Sequence, residues 1–133
     1  AAVRLADAAD VAIVKVAPLG GVRAALRIAQ GAGVPAVVSS AVDSAVGLTA
    51  GIALAAALPE LPYACGLGTG VLLADDVCGR PPRPVDGALE VVTRAPDPDR
   101  IDEVAAGAEA TAYWRDRLRR VALITQALTQ GRT

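Results

Sequence analysis

The sequence predicts an α/β domain built on parallel strands, and three observations carry that expectation. Two short apolar runs rich in β-branched residues, VAIVKV at 11–16 and VPAVVSS at 34–40, lack the polar alternation of a half-exposed strand. Each run is followed, after a short turn, by a segment of helical periodicity. Short strand–helix–strand connections make neighbouring strands parallel through right-handed crossovers.

Taken in order, residues 1–8 read as the end of a helix. The strand at 11–16 has no polar face, which predicts burial on both sides. PLGG is a turn, and VRAALRIAQG at 22–31 places Val22, Ala25, Leu26 and Ala29 on one helical face, with Arg23, Arg27 and Gln30 outside it. Gly31 and Gly33 end that helix, and the second strand follows at 34–40. Asp43 or Ser44 caps the next helix, which runs to Leu58 and stops at PELP. YACGLGTG at 63–70 predicts a third, shorter strand entering a glycine-rich loop. Beyond it, GRPPRP at 79–84 is a linker, GALEVVT at 87–93 a strand, and DRIDEVAAG a short helix capped by Asp97 or Asp99. Residues 109–129 form a terminal helix on which Trp114, Leu118, Val121, Thr125 and Leu128 recur at helical spacing. The expected division is β/α units over 1–78 and an extension over 79–133.

The chain of 133 residues suits one domain, and 53% apolar residues allow a sizeable core, made mainly of Ala, Val and Leu. A net charge of −1 gives no field favouring nucleic acid or an anionic membrane. The apolar stretch near 45–58 is too short to span a bilayer, and residues 1–10 lack the order of a signal peptide, so a cytoplasmic protein is expected. Without histidine there is no His triad or His metal ligand within this chain. Cys65 and Cys78 match neither a zinc spacing nor a redox pair, and no disulfide is expected. The opening residues, with no Met and a helix-like tail, read as the C-terminal part of something longer.

Of 13 basic residues 12 are Arg, and Lys15 is the single lysine. It stands next to last in its strand, on the face of Val11 and Ile13, at the strand end where α/β folds keep their functional groups. Arg stays charged, whereas Lys can act as a base or a compact cation. The alternative is a lysine reaching from the strand end to solvent. Ser39 and Ser40 end the second strand and are expected to face the same side, beside a helix N-terminus that suits a carboxylate or phosphate. Plain helix capping is the other reading. GLGTG at 66–70 is neither a dinucleotide fingerprint nor a P-loop; it is a loop approaching a ligand, through Gly66 and Gly68, or a flexible turn. Asp75 and Asp76 are adjacent, so they diverge and read as loop or capping residues rather than a metal pair, and the arginines at 115–120 read as a solvated helix face.

In this order and spacing, VKVAPLGG, VVSSAVDSAVGL and CGLGTG resemble the last third of the barrel in the o-succinylbenzoate synthase family of the enolase superfamily, most closely its actinobacterial form. The likeness is strong to about residue 80 and looser through PVDGALEVV and the Trp-containing helix. It implies a modified (β/α)8 barrel, of which this chain holds strands six to eight plus a C-terminal strand and helix, with a capping domain elsewhere. It implies a lyase that dehydrates a 2-succinyl-6-hydroxy-cyclohexadiene carboxylate to o-succinylbenzoate, in menaquinone biosynthesis, through a Mg2+-stabilised enediolate. Lys15 matches the sixth-strand lysine, and Ser39, Ser40, Gly66 and Gly68 are expected to hold the substrate's carboxylates. The metal ligands and the other catalytic lysine belong to strands two to five, so the missing N-terminal part of the barrel and the capping domain are the implied partners. An N-succinylamino acid racemase, or another racemase or epimerase of the superfamily, would use the same lysine. A non-catalytic piece packing on a partner chain is the alternative of another class.

Overall fold

A computed structural model describes residues 8–130. The helix end expected over residues 1–8 lies outside them except for Ala8, which is a turn residue. Strands β1 (Ala12–Val14) and β2 (Ala36–Val38) pair in parallel, with Ala12 opposite Ala36, Ile13 opposite Val37 and Val14 opposite Val38. The Ser39 N–H donates to the Val14 carbonyl at 2.9 Å, and Ser39 forms a parallel bridge with Gly66. Across the sheet the order is therefore β1, β2 and the segment at 66, as successive right-handed β/α units require.

Helices α1 (Val22–Gly31) and α2 (Ala45–Ala57) return the chain between these strands. The turn into α1 has φ of 85° at Gly20 and 108° at Gly21, conformations that glycine reaches without a Cβ clash. Ala25 and Ala29 are the buried positions of α1, and Arg23, Arg27 and Gln30 are exposed, as the periodicity predicts. α2 is apolar nearly all round and buries Leu48, Ile52 and Leu54, with Leu54 fully enclosed. Leu58 is extended, with ψ 139°, as a residue preceding proline prefers, and Pro59 ends the helix. The core joins Val14 and Val38 to Ala25, Ala29, Leu48, Ile52, Leu54 and Leu67. Each fully buried Leu or Val contributes about 1.5–3 kcal/mol by leaving water. The aliphatic composition thus gives closely spaced layers of helix on sheet.

Three expectations are corrected. β1 is covered on one face only: Val14 is buried, but Ile13 is 69% exposed. In a barrel a strand's second face is covered only when the sheet closes, and three β/α units do not close one. The expected third strand is reduced to the single bridge at Gly66, after which Thr69–Leu72 turn into a 3-10 helix. With glycine on both sides of it, Leu67 is the one buried anchor of GLG, and the chain leaves the sheet after one pairing. The strand expected at 87–93 is replaced by a tight reversal. Asp86 and Gly87 have φ of 49° and 77°, and Val85 and Ala88 exchange two backbone hydrogen bonds of 2.9 Å. Residues 89–93 then run without a ladder, leaving Val91 exposed.

Past this reversal the chain is tied back to residues 75–80. The Asp97 N–H donates to the Val77 carbonyl at 2.8 Å, the Gly79 N–H to the Asp97 carboxylate at 2.6 Å, and Arg94 Nε to the Arg80 carbonyl at 2.9 Å. Helix α3 (Pro98–Glu103) starts there, with Asp97 as its N-cap residue. Arg100 of α3 pairs with Asp75 at 2.9 Å and with Glu103. Hydrogen bonds that the guanidinium donates to the Asp75 and then the Glu103 carboxylate raise its pKa above the ordinary value. α4 (Ala108–Gln130) covers the helix expected at 109–129, and none of its residues is buried. Its arginines are solvated, with Arg120 pairing Asp116 at 3.3 Å and Arg117 lying over the Trp114 ring. Cys65 and Cys78 are free thiols. Among the described residues no helix is long and apolar enough to cross a membrane.

Candidate functional site

The parallel register sets the site. Carrying the Ile13–Val37 pair two residues on brings Lys15 beside Ser39, and Ser39 bridges to Gly66. The register, carried one residue past the Val14–Val38 pair, aligns Lys15, Ser39 and Gly66 in a row across the carboxyl ends of three neighbouring segments. The row continues the face of Ile13 and Val37, the face of β1 left open. Lys15 is half-buried and has no ion-pair partner among the described residues. It sets a lone ammonium on an otherwise apolar strand face.

Gly66 admits a close approach. A Cβ added to it would lie 2.8 Å from Ser39 Oγ and 3.3 Å from Ser39 Cβ. The absence of a side chain keeps the Ser39 hydroxyl against the Gly66 backbone, with Oγ donating to the Ser40 carbonyl at 3.3 Å. Ser40 stands apart from the row. It is buried, its Oγ donates to the Gly66 carbonyl at 3.0 Å, and it lies 2.6 Å from Thr69 Oγ1. Gly68 is turned to another side, where its Cβ would meet Pro84 at 3.5 Å. It lines an apolar cavity of about 470 Å³ between α2 and residues 84–91, with Ile52, Tyr63, Cys65 and Leu89. That cavity has no charged residue in its wall and does not include Lys15 or Ser39. The structure therefore brings Lys15, Ser39 and Gly66 together, sets Ser40 directly behind them, and places Gly68 against a different space.

The helix N-terminus beside the row has a partner from within the chain. Ser44 is the N-cap residue of α2 but makes no side-chain cap bond, and Asp43 Oδ2 accepts from the Ala41 N–H at 3.1 Å. The Ala45 N–H donates instead to Asp76 Oδ2 at 2.7 Å, and Asp76 Oδ1 accepts from the Cys78 N–H at 3.1 Å. Asp76 is 8% exposed, so this carboxylate caps α2 from 31 residues away. Negative charge there is favourable because the first-turn amides and the helix dipole both face it. Asp76 was expected to be a loop or capping residue; its partner could not be foreseen, since long-range capping leaves no local pattern.

The magnesium implied by the resemblance was expected to be held from outside this chain. Both Asp76 oxygens accept backbone N–H groups and Asp75 is paired with Arg100. No cluster of three or more His, Cys, Asp or Glu that could hold a metal forms among the described residues. The described residues do not fit a metal site.

Comparison with known proteins agrees with this geometry. The enolase C-terminal domain-like family matches residues 2–97. The o-succinylbenzoate synthase of Thermobifida fusca is 58% identical over 116 residues, which is 87% of this chain and 36% of that protein. The o-succinylbenzoate synthases of Mycobacterium tuberculosis and Mycobacterium ulcerans are each 54% identical over 118 residues, 89% of this chain and 36% of theirs. The chain thus spans about a third of the length of these relatives. Among solved structures, the muconate lactonizing enzyme of Pseudomonas putida superposes with a TM-score of 0.68 at 26% identity, over 74% of this chain and 30% of that one. The corresponding enzyme of Pseudomonas fluorescens, solved with muconolactone, gives a TM-score of 0.65 at 28% identity, over 73% and 28%. Parallel β/α units that form part of a barrel agree with these relatives, and the chain belongs to the enolase C-terminal domain-like family.

Proposed function

We propose that this chain supplies the lysine side of the active site of an o-succinylbenzoate synthase, a lyase that removes water from a 2-succinyl-6-hydroxy-cyclohexadiene carboxylate to give the aromatic o-succinylbenzoate in menaquinone biosynthesis. The observation that carries the reading is the row of Lys15, Ser39 and Gly66 at the strand ends, with the chain's single lysine on the open face. The names of the curated relatives support the choice of reaction.

The reaction removes a proton next to a carboxylate and then a hydroxyl, so the substrate loses one water. As the proton leaves, negative charge builds on the carboxylate. A fixed ammonium about 4 Å away contributes about 4 kcal/mol at an effective dielectric constant near 20. Lys15 keeps its proton on Nζ in this role, and the gain goes to the transition state because the charge is largest there. Ser39 Oγ, turning its proton from the Ser40 carbonyl, donates to a carboxylate of the substrate; Gly66, lacking a side chain, leaves room beside it, with Ser40 and Gly68 shaping the loop behind them. The base that takes the proton, the Mg2+ ligands and the capping domain belong to parts of the enzyme beyond this sequence. Mg2+ would supply further charge stabilisation when bound there. Residues 79–133 are the extension that packs on the rest of the enzyme in this reading, and a cytoplasmic setting goes with it.

The test is a full-length enzyme containing this chain, given the cyclohexadiene substrate and, separately, a chiral N-succinylamino acid. Growth of the aromatic ultraviolet absorption with Mg2+ present, lost in Lys15→Ala, supports the lyase. Racemisation with no dehydration moves the chain to the racemase reading, and neither activity in a folded protein removes the catalytic one.

A further inference from the structure

We infer that Thr69 is a positioning residue for the substrate end of the site, acting through Ser40; the inference rests on the lyase reading above. Ser40 is buried at 6% exposure, and its Oγ lies between two partners, the Gly66 carbonyl at 3.0 Å and Thr69 Oγ1 at 2.6 Å. A carbonyl only accepts, so Ser40 spends its one proton on Gly66, and the Thr69 hydroxyl donates to Ser40. The result is a relay, Thr69 to Ser40 to Gly66, in which each bond polarises the next.

The relay ends beside Ser39, the residue that holds substrate in that reading. The Gly66 carbonyl also accepts from the Ser40 N–H at 3.0 Å, and the Gly66 N–H donates to the Val38 carbonyl at 2.8 Å. Ser39 stands between Ser40 and that ladder, with its Oγ against the space a Gly66 side chain would fill. Moving Ser40 therefore moves Ser39 and Gly66 together. Thr69 opens the 3-10 helix of residues 69–72, which fixes where its hydroxyl stands. Its position between two glycines of GLGTG concealed it in the sequence, where glycines draw attention as backbone and the hydroxyl among them does not.

Thr69→Val in the full-length enzyme is the direct test. Valine places a methyl where Oγ1 stands, and a carbon needs roughly 3.5 Å from a neighbouring heavy atom. From the present 2.6 Å, Ser40 and the loop must separate by nearly 1 Å. Misplacement on that scale costs about 10- to 100-fold in kcat/KM. The loss is expected mainly in KM, because Ser39 binds the substrate in that reading and does not carry the proton. Thr69→Ser keeps the hydroxyl and is expected to restore most of the activity, with the melting temperature of both variants close to the parent's. If Thr69→Val does not fold, Thr69→Ala removes the hydroxyl without crowding, and a rise in KM is expected there too. A parental kcat/KM in the variant lacking the hydroxyl, a Ser variant as impaired as Val, or a loss that only follows the melting temperature overturns the inference. A parent enzyme that is folded but inactive as a lyase overturns the underlying reading and the inference with it. An active parent beside an unaffected Thr69→Val overturns the inference alone.

Discussion

Gly66→Ala tests the close approach on which the site depends. The new Cβ would stand 2.8 Å from Ser39 Oγ, 3.3 Å from Ser39 Cβ and 3.7 Å from Ser39 Cα. Comfortable contact is roughly 3.5 Å, so the hydroxyl must withdraw by about 0.7 Å. Rotation of Ser39 relieves the Oγ contact but abandons its bond to the Ser40 carbonyl, and it leaves the Cβ contact tight. Separation of the two segments relieves both contacts but stretches the Gly66–Val38 and Ser40–Gly66 backbone bonds. Overpacking of a core costs about 1–3 kcal/mol; Gly66 is exposed and at the sheet's edge, so the loss of stability is expected near 1 kcal/mol. Activity should suffer more. A displaced Ser39 lowers kcat/KM by about 10- to 100-fold, while the fold persists. Steady-state kinetics of the full-length enzyme beside its urea unfolding curve separate the two effects. A parental kcat/KM with Ser39 demonstrably shifted would refute the role given to Ser39, and a full loss of folding would refute the estimate of a cheap, exposed clash.

Three further outcomes follow from named contacts. Asp76→Ala removes the acceptor of the Ala45 and Cys78 N–H groups and is expected to destabilise by about 3 kcal/mol in urea unfolding, whereas Asp76→Asn, which keeps one acceptor oxygen, loses less; equal stability of all three proteins would show that the cap carries no weight. Leu54→Ala, at a fully buried position of α2, is expected to lower the unfolding free energy by about 2–5 kcal/mol, and a loss below 1 would mean that α2 is not packed as described. Titration of magnesium into this 133-residue chain, followed by calorimetry, is expected to show no binding in the micromolar range, since the described residues form no cluster of three or more candidate ligands; a tight site would reverse that reading.

What the sequence revealed was what periodicity encodes. α1 came through with its boundaries and its inner face because Ala25 and Ala29 recur at helical spacing between exposed arginines. α2 and the parallel order were legible from the repeated strand-then-helix pattern, and α4 from its long apolar spacing. Features decided by partners far along the chain were not legible. The run at 11–16 reads as covered on both faces, yet covering the Ile13 side depends on sheet closure and not on the run itself. GALEVVT has the composition of a strand, but Asp86 and Gly87 turn the chain and no ladder is offered to residues 89–93. Of the site, Lys15 was marked by its uniqueness among arginines, and Ser39 and Gly66 by their place at strand ends. Asp76 and Thr69 were missed as partners because their hydrogen bonds span 31 and 29 residues, and no local motif announces such contacts.

The central claim is that Lys15 serves the reaction as a lysine, and kinetics of Lys15→Arg and Lys15→Ala in the full-length enzyme, each with a melting curve, test it most directly. Arginine keeps the charge but is longer and planar, so it does not fit as a compact cation. Losing one well-placed charge contact in the transition state lowers kcat by about 10²- to 10³-fold. Both variants are expected to fall by that much in kcat, with smaller changes in KM and a melting temperature equal to or above the parent's, since a half-buried ammonium without its ligand adds no stability. Near-parental turnover in Lys15→Arg, or unfolding of both variants, would show instead that the lysine is structural.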